Sequence, residues 1–167
     1  WQLGTGSRVN DFSFSAIEFT QGGTAADIAS WSGAHSGDGY FAFDGGEGND
    51  SVTVSNGAIV GNIDLVAEAI QLGGSTFNDG SATLNATGGN TILISGTVLL
   101  QNYELVLEDL TGSVTSQNVA EVQVGNGSVL TVKSANLGTA ESSNVFTFRT
   151  LAGGSTIIDL ASNTDPD

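Results

Sequence analysis

Apolar residues in this chain fall in short runs that mostly alternate with polar ones, and glycine, asparagine, serine and threonine fill the gaps between runs. From Tyr40 onward the runs are Tyr40–Phe43, Ser51–Val54, Ile63–Val66, Ala69–Leu72, Ala82–Leu84, Thr91–Ile94, Val98–Leu100, Glu104–Leu107, Glu121–Val124, Val129–Val132, Val145–Phe148 and Thr156–Leu160. Period-two alternation closed by turn residues marks extended strands with one buried face. In such strands Val52, Val54, Ile63, Leu65, Ile92, Ile94, Leu105, Leu107, Val122, Val124, Leu130 and Val132 point inward.

The first 36 residues read differently. Asp11–Phe19 alternates like a strand, whereas Thr24–Trp31 offers a threonine cap, an early acid and Ile28 with Trp31 at i, i+3 spacing, which predicts one or two helical turns. From Tyr40 the strands start about every 6 to 13 residues, with two longer gaps. Matching runs at Ile63 and Ala82, or Leu105 and Val122, predict coils of about 17 to 20 residues.

The expected fold is therefore all-β. It is a right-handed parallel β-solenoid (β-helix) of about six rungs and roughly 30 Å, with an N-terminal cap over residues 1–36, the solenoid over 37–161 and a polar C-terminal tail over 162–167. An antiparallel β-sandwich is the alternative, weakened by a single proline and few two-residue hairpin turns.

Composition narrows the partners. Twenty-four glycines beside one proline are turn residues of a folded chain, since a disordered linker is usually rich in both. Eighteen acids against three bases, Arg8, Lys133 and Arg149, give a net charge of -15 without any acidic block. That argues against nucleic acid and anionic membranes as partners, because phosphate binding needs clustered Lys and Arg. Cysteine is absent, so there is no disulfide and no thiolate chemistry. No stretch approaches the roughly 20 apolar residues of a membrane span. A start at Trp1 fits a processed mature chain or a segment of a longer one.

Gly45-Gly46-Glu47-Gly48-Asn49-Asp50-Ser51-Val52-Thr53 matches the calcium-binding nonapeptide of RTX proteins at all of its defined positions. Ser55–Leu65 resembles repeats of bacterial autotransporter passenger domains. Ile63–Leu72 through Ala82–Asn90 is similar to filamentous-haemagglutinin-like adhesins. The resemblance covers about residues 37–136 and implies a bacterial surface β-solenoid, secreted or held at the cell surface. It also implies Ca2+ as the one concrete ligand, with Gly46 and Gly48 supplying backbone carbonyls and Asp50 a carboxylate. Such a site needs the same turn on the neighbouring coil, yet no Asp lies nine residues either side of Asp50, and Asp38 and Asp44 are out of register. The metal candidates are Asp50, Gly46, Gly48 and Asp44, against a plain glycine-rich corner.

Catalytic chemistry is poorly supplied. His35 is the single histidine and lies in a Ser/Gly-rich stretch without a paired acid. The acid sets Asp64, Glu68, Asp79 and Glu104, Glu108, Asp109 read as outward solvated side chains, and the bases that would neutralise an acidic sugar are missing. Sequons at Asn49, Asn85 and Asn126 are expected by chance in so polar a chain. Trp1, Trp31 and Tyr40 could stack on a sugar, but Trp31 and Tyr40 read more simply as cap-to-coil packing. Threonines 83, 91, 131 and 147 would favour ice or glycan binding if they shared a face. Asn62, Asn90, Asn102, Asn118, Asn126, Asn136 and Asn144 lie near strand ends and suit left-handed corners with amide bonds between rungs.

The expected function is extracellular and structural, not enzymatic. It is a rod segment of a surface adhesin, or a subunit of a filament assembling head-to-tail from copies of itself. The alternative is a glycan-, calcium- or ice-binding module on the same scaffold.

Overall fold

The computed structural model describes residues 2–3, 8–9, 12–13, 19–35, 40–87, 91–137 and 145–160. Among these residues there is no helix. The strands are β1 (Gln2–Leu3), β2 (Arg8–Val9), β3 (Phe12–Ser13), β4 (Phe19–Gln21), β5 (Ile28–His35), β6 (Tyr40–Asp44), β7 (Ser51–Val60), β8 (Asn62–Ala67), β9 (Ala69–Gly73), β10 (Thr76–Ala86), β11 (Thr91–Val124), β12 (Val129–Leu137), β13 (Val145–Thr150) and β14 (Ser155–Leu160).

The strands wind into a parallel β-solenoid with three faces. On the first, β4, β6, β8, β10, β11, β12 and β14 pair in that order, all parallel. On the second, β1, β5, β7, β9 and β11 follow one another. The third is built from the later parts of β5 and β7, the start of β10, and β11 with β13. Several strands pass a corner without interruption, and β11, 34 residues long, runs through more than one full coil. The antiparallel pairs β1–β2 and β2–β3 extend the second face beyond β5.

Register gives the coil length directly. Phe19, Ala42, Asp64, Thr83, Val106, Thr131 and Ile157 stand in one column, each one coil after the last. The coil from Asp64 to Thr83 is the shortest and the one from Thr131 to Ile157 the longest. The expected length of about 17 to 20 residues therefore holds only for the shortest coil, and the others exceed it.

Alternation places the core as expected. All twelve residues read as inward-pointing from sequence are buried. Phe43, Leu65, Leu84, Leu107 and Val132 form one continuous inward column, and Ala29, Val52, Ile70 and Ile92 form another. Stacking like on like removes both sides of each side chain from water, which is where a solenoid gains its stability.

The predicted helical turns at Thr24–Trp31 are not formed. Thr24 and Ala25 lie in a bend, and Ile28–His35 is strand β5, parallel to β7 with Ala29 opposite Val52 and Trp31 opposite Val54. The true period is two: Ala29 and Trp31 are buried while Ile28 is 64% exposed. Pairing with β7 overrides the weak helical signal of so short a segment. Strands β4 and β5, inside the segment expected to act as a cap, are therefore themselves laddered onto β6 and β7. The expected tail, 162–167, lies outside the described residues, as do Trp1, Asn90 and Asn144.

Corners are turned by residues in the left-handed region, among them Asn56, Asp79 and Asn102 at φ near 50°. The expected inter-rung amide bond is present at Asn102, whose Nδ2 donates to Asp79 Oδ1 on the preceding coil at 2.9 Å. At the corner between the third and first faces, Gly61, Gly80 and Tyr103 follow one another on successive coils. A side chain on Gly80 would collide with the Gly61 carbonyl. Its absence lets the Tyr103 hydroxyl reach two coils back and donate to the Gly61 oxygen at 2.9 Å.

Candidate functional site

The candidate cation residues sit at the corner between the first and second faces. Asp44 ends β6, the turn Gly45–Asp50 follows, and β7 starts at Ser51. The turn stacked above it is Gly22-Gly23-Thr24-Ala25-Ala26-Asp27, one coil earlier. Gly22 N donates to the Asp44 carbonyl at 2.7 Å, Glu47 N to the Gly23 carbonyl at 3.0 Å, and Ser51 N to the Asp27 carbonyl at 2.9 Å. Gly22 therefore lies over Gly45, Gly23 over Gly46 and Asp27 over Asp50. The paired turn that is missing at nine-residue spacing exists one full coil away.

Carboxylates bridge the coils at this corner. Asp27 N donates to Asp50 Oδ1 at 2.7 Å, Asp50 N to Glu68 Oε2 at 2.7 Å, and the Thr87 hydroxyl to Glu68 Oε1 at 3.2 Å. Asp27 Oδ2 accepts from Gly23 N and Asp44 Oδ1 from Gly46 N. Each carboxylate thus accepts a backbone N–H at the turn, where strand pairing lapses. Burial alone would raise the Glu68 carboxyl. The amide of Asp50, its own amide and the Thr87 hydroxyl outweigh that and hold it below the usual range.

Asp50 is 1% exposed and its Oδ2 has no hydrogen-bond partner. Around it the glycines are packed against oxygen. A side chain at Gly45 would meet Asp50 Oδ2, one at Gly46 would stand 2.7 Å from the Gly23 carbonyl oxygen, and one at Gly48 2.8 Å from that of Ala25. The unpartnered Asp50 Oδ2 lies beside the glycine turn, and hard oxygens of this kind are the ligand type that Ca2+ takes. Among the described residues no three acids or histidines converge as a metal site. Asp44 is engaged with its own turn.

Sequence inspection missed Asp27 and Glu68 here. The signal was present as Gly-Gly-x-x-x-Asp, found at Gly22–Asp27 and again at Gly45–Asp50, but the repetition carries meaning only once the coil length is known.

The other candidates are scattered. Asp64 points outward on the first face, Glu68 stands at the next corner and Asp79 at the corner between the third and first faces, so they do not assemble. Glu104 and Glu108 are outward positions of one strand, while Asp109 continues the inward phase of Leu105 and Leu107 and is fully buried. Neither Asp109 oxygen meets a donor in full hydrogen-bond geometry. Burial pushes its carboxyl above the ordinary range, opposed in part by the nearby amides of Gly112, Thr111 and Ser113. The reading of Asp109 as an outward acid is corrected: strand phase carries it inside.

Thr83 and Thr131 share a column on the first face, but Thr91 is on the second and Thr147 on the third, so the four threonines form no array. His35 lies in β5 with its backbone paired to Ile59. Trp31 packs edge-on against Phe41, ring centroids 5.0 Å apart. Tyr40 does not pack inside: it is 49% exposed, and its hydroxyl donates to Asp64 Oδ2 at 2.6 Å. No family model, curated protein or solved structure matches the chain.

Proposed function

We propose that this chain is an extracellular structural element: a rod segment of a surface adhesin, or the subunit of a filament that grows by stacking coils head-to-tail. The observation that carries the reading is the state of the last described rung. Ile158 occupies the inward column of Leu107 and Val132, which are buried, yet it is 47% exposed. Among the described strands β14 pairs only with β12. A strand whose described partner lies on one side only, with a half-covered core side chain, is a template for one more coil. A continuation of the same chain supplies that coil in the adhesin version. The edge of a second copy supplies it in the filament version, through heterologous contacts that propagate without closing. The acidic surface, net -15, suits a solvated rod and opposes lateral clumping. The surface location rests on the resemblance of the coil repeats.

Light scattering and negative-stain imaging across a concentration series test this. Growing rods that disappear when residues 1–20 are deleted support the filament. A monodisperse monomer at every concentration retires it and leaves the rod segment, for which the chain extended by its natural flanking sequence should be longer and more heat-stable.

A second reading is favoured by one observation, the stacked Gly22–Asp27 and Gly45–Asp50 turns around the unpartnered Asp50 oxygen. In it Ca2+ ties these two coils together. Calcium should raise the melting temperature over chelator, and Asp50→Asn should remove the difference. Equal melting in calcium and chelator ends this reading without touching the first.

A further inference from the structure

The first face is not uniform along the rod. Where later coils present Ser81, Thr83, Val106 and Thr131 outward, the first two present aromatic rings: Phe19, 55% exposed, and Tyr40, 49% exposed. Phe19 pairs with Ala42, and Ala42 with Asp64, so a methyl group lies between the ring and the carboxylate. The result is an open trough of about 300 Å3 lined by both rings together with Ala42, Asp44, Asp64 and Thr83.

Its polar groups are unbalanced. Asp64 is held in place, Oδ1 accepting from Thr83 N at 3.2 Å and Oδ2 from the Tyr40 hydroxyl at 2.6 Å. That hydrogen bond, with burial and the Asp64 charge, raises the Tyr40 phenol above its ordinary range, so the ring stays a neutral donor. The lining residues carry two carboxylates and no base. Side-chain donors other than the Tyr40 hydroxyl, which Asp64 occupies, are only the Thr83 hydroxyl and the Asn85 amide. An anionic ligand is repelled, and a sugar finds few donors for its hydroxyl oxygens. What the trough offers is negative charge and two half-exposed aromatic rings.

We propose that this trough binds an alkylammonium group, through cation–π contact with Phe19 and Tyr40 and attraction to Asp44 and Asp64. The group is either a lysine side chain of a basic polypeptide or a methylated amine. Both present an organic cation whose apolar carbons rest on Ala42 and the rings while its charge meets the two acids. This surface is separate from the terminal rung and does not depend on whether the rod assembles.

The test is an NMR titration of the full chain at constant ionic strength, following the Phe19 and Tyr40 ring protons. The probes are tetramethylammonium chloride, Nα-acetyl-lysinamide and methyl glucoside. Saturable shifts at both rings are expected with one of the cations, with a dissociation constant on the order of tens of millimolar, the weak binding that two exposed cation–π contacts beside two acids allow. The tighter of the two cations distinguishes the methylated amine from the lysine source. Phe19→Ala should weaken binding by about threefold. Asp44→Asn should weaken it and flatten its dependence on salt. Both substitutions are on the outer surface, and an unchanged melting temperature confirms that the fold persists. No saturable shift with either cation, or methyl glucoside shifting the same rings at equal or lower concentration, overturns the proposal.

Discussion

Truncating Leu84 to alanine probes the stacked core at its centre. Leu84 is fully buried, with Leu65 on the coil before it and Leu107 on the coil after. The substitution removes three carbons. At about 0.8 kcal/mol per carbon the transfer loss is about 2.4 kcal/mol. Because the ladder above and below is pinned by backbone hydrogen bonds, the cavity cannot close, which brings the cost to about 3 to 4 kcal/mol. Ile158→Ala removes as many carbons from the same inward column, but that side chain is 47% exposed. Only about half the transfer applies and no closed cavity forms, so about 1 kcal/mol is expected. Thr83→Ala, on the outward side of the same strand as Leu84, should change stability by less than about 0.5 kcal/mol. Thermal melts followed by far-ultraviolet circular dichroism read the three variants side by side. Leu84→Ala should lower the Tm by about 10 °C, Ile158→Ala by under about 5 °C and Thr83→Ala by little. Equal losses at Leu84 and Ile158 would refute the column as registered, or show that the last rung is as well covered as the middle.

Asp109→Asn should stabilise the protein by on the order of 1 kcal/mol at neutral pH, since it removes a buried charge that no well-formed hydrogen bond compensates. Burial raises this carboxyl in the folded state. The cost of its charge is therefore present above the folded pKa and fades as pH falls through that value toward the ordinary carboxylate range, near about 4. The gain in Tm should shrink over that interval; a gain that is constant with pH would contradict the assignment. Gly80→Ala forces a side chain onto the Gly61 carbonyl and displaces the coil that Tyr103 bonds. A loss of about 2 kcal/mol by urea titration is expected, and wild-type stability would show that the two glycines do not stack. Ile92→Asp places an unpaired carboxylate in the second inward column, where several kcal/mol abolish folding; a normal melt would show its face assignment to be wrong.

Alternation along the chain was sufficient to define the strands and their buried side, because a period of two puts each residue of a strand on a known face whatever its neighbours are. That logic reaches Val52 through Val132, and it also reaches Asp109, which keeps the phase of Leu105 and Leu107; the expectation that acids are solvated hid it. At Ile28 and Trp31 the sequence pointed the wrong way. The inward partner of Trp31 is the small Ala29, which leaves little hydrophobic contrast, and only pairing with β7 reveals the strand. Register between coils was decided by tertiary structure alone. Coil length varies, from the short passage between Asp64 and Thr83 to the long one between Thr131 and Ile157. No fixed repeat therefore links Asp27 with Asp50 and Glu68, separates the threonines onto three faces, or brings Phe19 against Ala42. Strand phase is a local property of the backbone, whereas register belongs to the stack, where hydrogen bonds and side-chain columns from different coils must agree at once.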